Sequence, residues 1–392
     1  MTNDLITKAI DAVLANDNSF CKFLSANDSG ETGGHQSGIL ISISASSMFF
    51  TKQEMQDNHI LKLDGKIKWQ DDYTTSCTIT WYESKKELRI TRFGKGLSPL
   101  RPEYTGALFV LVQEPENNYQ GFIFNTDADI QEFLDSFGLT PAETNRLISL
   151  YRINPEVKER KAIEEFIAGL AVDFPSSYDM SAAARMIQNK VHLNHKKAIT
   201  NPDDILLRWT EEEYTLFRAI EHARYGDTVS RGFQSVDDFI SMANQVLNRR
   251  KSRAGKSLEH HLSAIFDENK IRYTAQAITE GNKKPDFLFP SEEAYHDMTF
   301  SVENLCTLAA KTTCKDRWRQ ILNEANRLRD KNKYLCTMQQ GISSAQMDEM
   351  QAEKVILVVP SAYIKTYPKE KQPRIWTVGK FVAYVKEMES LI

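Results

Sequence analysis

The stretch KKPDFLFP, Lys283 to Pro290, sets one acid between a proline and an apolar run. A proline at the head of a strand removes a backbone donor and suits an edge or entry position. Asp286 is therefore expected where a short, buried strand begins. A Pro-Asp pair of this kind can close an ordinary turn. It can also hold a carboxylate at a strand end, ready to bind a metal. The residues that follow have to decide.

The next apolar strand is expected in ENLCTLAAKTT, Glu303 to Thr313, with Lys311 at its end. DRWRQILNEANRLRD, Asp316 to Asp330, then reads as a helix. Trp318, Ile321, Leu322, Ala325 and Leu328 fall on one stripe of it, and Asp316 suits its N-cap. Glu324 flanks that stripe and can point back toward Lys311. Carboxylates bind Mg²⁺ through oxygen and leave coordination places for water and phosphate. The cation lowers the pKa of bound water, and a nearby lysine stabilises charge on a phosphate under attack. Asp286, Glu324 and Lys311 together supply the set that phosphodiester hydrolysis needs. Each has a plainer reading on its own: a turn, an interface salt bridge and a solvated strand end.

The bulk numbers leave room for this chemistry. The chain has 392 residues, which suggests two or three domains. Its formal net charge is −4, so any anion-binding surface has to be local. The five cysteines, Cys21, Cys77, Cys306, Cys314 and Cys336, form no CxxC pair. That argues against a zinc ribbon or a disulfide framework and suits a reducing cytoplasm, expected to be bacterial. The N-terminus carries acids and no apolar h-region, so no signal peptide is expected. No apolar run is long enough for a membrane span.

Residues 1–172 read mainly as β. GILISISASSMFF, CTITWYE, ELRITRF, GALFVLVQE and YQGFIFN are short runs rich in β-branched and aromatic residues, separated by turn signals. A barrel or sandwich is expected. Helices are expected in ADIQEFLDSFGL, capped by Asp127 or Asp129, and in PAETNRLISLY. Residues 173–204 are polar and turn-rich and read as a linker. Residues 205–392 turn helical and then alternate strand with helix, which implies a mixed or parallel sheet covered by helices.

Several of these blocks resemble the EcoRII family of restriction endonucleases. GNKKPDFLFPSEEAYHD, KTTCKDRWRQILNEA and NRRKSRAGKSLE look like its catalytic domain. LSANDSGETGGHQSGILI and RITRFGKGLSPLRPEYTGAL look like its other, effector-DNA domain. The likeness covers most of the chain in the same order and is less clear over residues 110 to 230. It implies a two-domain protein: an N-terminal, mostly-β B3-like barrel and a C-terminal α/β PD-(D/E)xK restriction-endonuclease-like fold. The implied activity is Mg²⁺-dependent double-strand cleavage of DNA at a short site of the CCWGG kind.

The usual ExK acid is displaced in this group. Two positions before Lys311 stands Ala309, which cannot bind metal. The resemblance supplies the acid thirteen residues after the lysine, at Glu324, and matches Glu259 to a further acid lining the site. A salt bridge is the plainer role for Glu259. The triplet Lys315, Asp316, Arg317 is implied to read the outer C·G pairs. Arg and Lys donate to guanine and Asp accepts from cytosine. Trp318 is a conceivable stacking surface for an extruded base, but its place in the apolar stripe favours the core.

The run Arg249, Arg250, Lys251, Arg253 and Lys256 is expected to follow the DNA backbone. In the N-terminal half, two glycine- and arginine-bearing loops could grip a duplex groove. The resemblance implies His35, Arg92, Lys95 and Arg101 as effector-DNA contacts, with Arg89 and Tyr104 beside them. That half has no carboxylates near a lysine-tipped strand and is expected to bind without cutting. Two DNA-binding halves suggest that effector DNA relieves a block on the active site, and a two-fold homodimer is expected for double-strand cuts. Two other readings stay open: an inert sequence-specific DNA-binding protein, and a nicking or repair enzyme of the same fold.

Overall fold

A computed structural model describes residues 2–31, 38–92, 101–148, 157–194 and 196–391. His35 and Lys95 lie outside the described residues. The N-terminal half is one eight-stranded sheet. Its strands are β1 (Ser19–Phe23), β2 (Ile39–Ile41), β3 (Ile60–Trp69), β4 (Thr74–Tyr82), β5 (Glu87–Thr91), β6 (Leu108–Glu114), β7 (Asn118–Phe124) and β8 (Arg146–Leu147). They run in the order β2-β5-β4-β3-β7-β6-β1-β8. Every pairing is antiparallel except that of β3 with β7.

Side chains on successive strand positions point to opposite faces, and here both faces are used. Phe20, Phe109, Leu111 and Ile123 join Ile67, Trp69, Ile79 and Ile90 in the concave core. Cys21, Phe23, Val110 and Phe122 face outward against the helices α1 (Thr2–Leu14) and, after the small α2 (Lys52–Asp57), α3 (Asp127–Phe137). This curved sheet is the B3-like domain expected from the sequence.

Three local expectations are corrected. The strand read in GILISISASSMFF stops at Ile41, because the Ser42 side chain accepts the Ser44 amide and starts a 3-10 turn over Ile43–Met48. Over its described residues, 141–148, PAETNRLISLY forms no α-helix: Thr140 and Glu143 form a closed capping box around a single turn, and β8 follows. The cap of α3 is Thr126 rather than Asp127 or Asp129.

The polar stretch 173–204 is no bare linker. After α4 (Val157–Ala168) it folds into α5 (Ser177–His192) and α6 (Lys197–Thr200), and α7 (Pro202–Arg231) begins within it. Ser176 accepts the Asp179 amide to open α5. Met180, Ala183, Ala184 and Ile187 then pack on Leu216, Phe217 and Ile220. The apolar spacing is there, but small alanines and flanking serines hide it.

The C-terminal half is a six-stranded sheet in the order β14-β13-β12-β11-β10-β9. It comprises β9 (Thr274–Ala275), β10 (Phe287–Phe289), β11 (Cys306–Lys311), β12 (Lys333–Thr337), β13 (Val355–Val359) and β14 (Trp376–Thr377). β9, β10 and β11 are antiparallel, and β11 to β14 are parallel. The long helices α7 and α8 (Val236–Glu268) cover one face. The small α9 (Glu292–His296) follows β10, α10 (Ser344–Ala352) lies on the far face, and α11 (Val378–Ser390) closes the near one.

Phe287, Phe289, Cys306 and Leu308 pack beneath Phe266 and Phe381. Each fully buried phenylalanine contributes about 2 kcal/mol of transfer free energy, so the two strands that carry Asp286 and Lys311 are anchored from below. Asp203 adds a polar stitch: its carboxylate accepts the Ser361, Val378 and Gly379 amides, tying α7 to the start of α11.

Candidate active site and its neighbour

Alternation along β10 and β11 decides where the chemistry can sit. Phe287, Cys306 and Leu308 point into the helical core. Asp286 and Lys311, one position out of phase, point to the other face. Asp286 is buried, and its Oδ2 accepts the Lys311 Nζ at 2.8 Å and the Ala310 amide at 2.8 Å. The expected strand-head carboxylate and strand-tip lysine are therefore one ion pair.

Glu324 joins them from a segment built differently from the expectation. The helix read over Asp316–Asp330 is two short 3-10 turns, Arg317–Asn323 and Asn326–Leu328, with Ala325 extended between them. The reason is packing. Trp318 and Ile321 enter the core beside Leu335 and Leu357, whereas Ala325 and Leu328 enter a separate one with Leu288 and Tyr295. A straight α-helix would send all of them the same way. The break follows Glu324 and leaves its carboxylate over the Asp286–Lys311 pair. Thr279 fixes the break by donating its hydroxyl to the Glu324 carbonyl. Asp316 makes no side-chain cap, contrary to the expectation. Trp318 is buried in the core, with the Arg319 guanidinium over its ring.

Burial pushes the Glu324 carboxyl up to about 7; Lys311 draws it down and Asp286 pushes it up again. Glu259, on α8, is also raised, first by burial and then by Asp286, while Lys256 and Lys311 oppose the rise. Glu324 and Glu259 thus stand close enough to act on the Asp286–Lys311 pair, and Lys256 pairs with Glu259 in turn. A divalent cation would draw such a set of oxygen donors together.

Gln276 completes the cluster and escaped the sequence reading. Its Nε2 donates to Asp286 Oδ1 at 3.0 Å and to Glu259 Oε2 at 3.2 Å, and its amide donates to the Asp286 carbonyl at 3.1 Å. Its φ of +53° is one that non-glycine residues seldom adopt. The only trace in the sequence is a polar residue just after the short strand that precedes the Pro-Asp pair.

The triplet Lys315, Asp316, Arg317 lies elsewhere, against the N-terminal half. The buried carboxylate of Asp127, in the first turn of α3, accepts the amides of Lys315 (3.0 Å), Arg317 (2.9 Å) and Asp316. Asp316 Oδ2 accepts the Asp127 amide in return at 3.2 Å. Lys315 is 2% exposed, and its Nζ donates to the Thr105 carbonyl at 3.2 Å and to the Asn125 side chain. Burial lowers its pKa to about 8, while Asp127 and Asp316 hold it up. Nearby, Gly106 adopts φ +80°, and a Cβ there would meet the Gly341 carbonyl at 2.0 Å. The two halves are in close backbone contact.

The basic run is mostly committed, which corrects the expectation of one phosphate-following face. Arg253 is buried, donates to the Gly138 carbonyl and packs on Tyr214 and Phe217. Arg250 pairs with Glu221 and donates to the Ser136 carbonyl. Arg249 pairs with Asp173 over the Phe174 ring. Lys256 reaches Glu259, and Lys251 is exposed. On the N-terminal sheet, Arg92 and Arg101 are exposed, Arg89 pairs with Glu87, and the Tyr104 ring packs on the concave core.

Comparison with known proteins agrees with this layout in both halves. Residues 14–137 match the family model for the N-terminal domain of the EcoRII restriction endonuclease, and residues 217–382 match that for its C-terminal domain. The type II restriction enzyme SsoII of Shigella sonnei is 24% identical over 64% of this chain and 84% of its own length. A solved structure of metal-depleted Ecl18kI in complex with uncleaved, modified DNA aligns at 18% identity, with a TM-score of 0.47, over 61% of this chain and 86% of that one. The type II restriction enzyme EcoRII of Escherichia coli is 37% identical over 93% of both chains. Matched in both halves by those family models and alike over nearly its whole length to that enzyme, this chain belongs to the EcoRII family of type II restriction endonucleases, which are site-specific deoxyribonucleases.

Proposed function

We propose that the chain makes Mg²⁺-dependent double-strand cuts in DNA at a short CCWGG-like site, as a homodimer, and that its N-terminal domain binds a second, effector copy of that site. In this reading residues 1–172 are the effector domain, residues 205–392 are the nuclease, and the helices of 173–204 join them. The observation that carries it is the Asp286–Lys311 ion pair with Glu324 and Glu259 close enough for their charges to act on it.

Asp286 and Glu324 would hold the cation, with Glu259 beside them. When bound, it supplies an activated water and charge neutralisation at the scissile phosphate. Lys311 then orients the attacking water or donates to the phosphate oxygen on which charge develops. Gln276 keeps Asp286 and Glu259 at a fixed separation. Lys315, Asp316 and Arg317 would read the outer base pairs, and Arg89, Arg92, Arg101 and Tyr104, with His35 and Lys95, the effector duplex. Exposed Val229, Val236, Phe239, Ile240 and Leu247, where α7 meets α8, support a dimer surface.

The Asp127 contact supports regulation. With its three amides held by the other half and Lys315 buried there, the triplet is fixed in this position, so effector binding that draws α3 away would release it. The test is cleavage of a plasmid carrying several CCWGG sites, with Mg²⁺ and with EDTA, by wild type and by Asp286→Ala. Discrete fragments that need Mg²⁺ and vanish in the variant are expected. Fragments from other sites would discard the specificity and keep the chemistry.

A further inference from the structure

Away from the nuclease centre, α4, α5 and α7 pack around Ile163, Met180, Ala184, Ile187, Leu216 and Phe217. At the edge of that core stand Glu159 on α4, His192 at the end of α5 and Glu212 on α7. Each offers a donor atom, and these atoms all lie within 4.8 Å of one another. The geometry points to a second divalent-cation site here, of the Zn²⁺ type, that clasps the three helices together.

Glu212 carries the argument. It is 3% exposed, and its Oε1 has no hydrogen-bond partner. A buried carboxylate oxygen left unpaired is costly and rare. Burial pushes its carboxyl up to about 8, and the charged neighbours that act on it, Glu159 and then Glu211, are both acidic. A group in this position needs a proton or a cation.

The third member selects between them. Two carboxylates alone could share a proton. An imidazole within reach of both adds a nitrogen donor, and one nitrogen with carboxylate oxygens is a donor set of Zn²⁺ and its neighbours rather than of Mg²⁺. Ligands about 2.1 Å from a tetrahedral Zn²⁺ lie about 3.4 Å apart, so a small inward turn of these side chains closes the site and leaves its fourth place to water. No residue here belongs to the Asp286 cluster.

The position gives the site a task. Glu159 lies in the first turn of α4, the first described element after β8, while α7 runs on into the nuclease core. An occupied site fastens the start of the helical layer to the nuclease.

The test uses the full-length chain carrying Asp286→Asn, to weaken cation binding at the nuclease centre, stripped with chelator and titrated with Zn²⁺. Calorimetry and elemental analysis after gel filtration should find one retained Zn²⁺ per chain, not displaced by millimolar Mg²⁺. Adding His192→Ala or Glu212→Gln should lower the affinity at least tenfold and remove the rise in Tm that Zn²⁺ gives. Glu159→Gln is the third variant, should either of the others fold poorly. In the otherwise wild-type chain, His192→Ala should leave cleavage in Mg²⁺ within twofold. If no Zn²⁺ is retained, or if it is retained equally by the His192 and Glu212 variants, the site does not exist. If Glu212→Gln raises Tm in chelator while the parent binds no Zn²⁺, the pair shares a proton instead. None of these results depends on the DNA site that the nuclease cuts.

Discussion

Asp286 and Asp127 are both buried carboxylates that hold backbone amides, yet they do opposite things. Asp286 works inside one sheet: it accepts the Ala310 amide and the Lys311 ammonium and stays beside two more acids. Asp127 works across the two halves: it accepts three consecutive amides of the segment that bears Lys315, Asp316 and Arg317. One assembles a charge cluster that a cation can complete. The other uses its acceptors to hold the backbone of a polar segment against the other half. An acid with amides and a lysine left over is poised for chemistry, and an acid with amides alone is a clasp.

The contrast is broken most severely at Asp286. Asp286→Ala removes the proposed cation ligand and the partner of Lys311 at once, so cleavage should fall by at least about 10³-fold, the equivalent of about 4 kcal/mol in the barrier. Binding of duplex DNA, followed by fluorescence anisotropy, should survive. A variant that still cut within tenfold of wild type would show that Asp286 is not a ligand.

Asp127→Ala should do the reverse. Loss of three acceptor contacts weakens the clasp by about 2 kcal/mol, or ~30-fold in the population that opens. Cleavage of a plasmid with a single site, slow when a second site is required, should rise by roughly tenfold, while multi-site plasmids change little. Gly106→Ala, which drives a Cβ into the Gly341 carbonyl, should act in the same direction. If both variants keep the full requirement for a second site, the clasp does not regulate.

Much of Asp286's surroundings could be read in the sequence, and almost none of Asp127's. The Pro-Asp pair, the strand ending in Lys311 and the acid at Glu324 are local signals with fixed spacing. Even there, the helix drawn through Trp318 and Leu328 was wrong, because one apolar period cannot show that its members enter two cores. Gln276 was missed because amides carry no motif. Asp127 reads in the sequence as an ordinary helix cap; only the fold brings Lys315 to it across 188 positions. Arg250 and Arg253 were read as a basic surface for the same reason: what pairs with Arg250 and what buries Arg253 lie on α7 and after α3.

The clasp should also respond to pH. Burial holds Lys315 at about 8 in the closed arrangement, against an ordinary 10.5, with Asp127 and Asp316 facing it. Opening returns the lysine to water and to its ordinary value. The closed state binds fewer protons between pH 8 and 10.5, so closure gains as pH rises through that window and is weakest below 8. The ratio of single-site to multi-site cleavage should therefore fall by about tenfold between pH 7.5 and 9.5. A ratio that rises with pH would mean that the closed state holds the Lys315 proton more firmly than water does, the opposite of what its burial implies.

The smallest expected effect sharpens the other side of the comparison. Gln276→Ala leaves every charge in place and removes only the amide that spans Asp286 and Glu259. If the two acids are held together by that bridge, its loss lets them relax away from each other, and the cation has to draw them back. The cost is about 1 kcal/mol, or roughly fivefold, and it should fall on the Mg²⁺ concentration needed for half-maximal cleavage. The rate at saturating Mg²⁺ should hardly change, because Lys311 and all three carboxylates are intact. A residue acting on the reacting atoms would give the opposite split, with the saturated rate falling and the Mg²⁺ dependence unmoved. Gln276→Glu adds a fourth acid to the same point and should raise the Mg²⁺ requirement further or recruit a different cation, an outcome a spacer of merely structural importance would not produce.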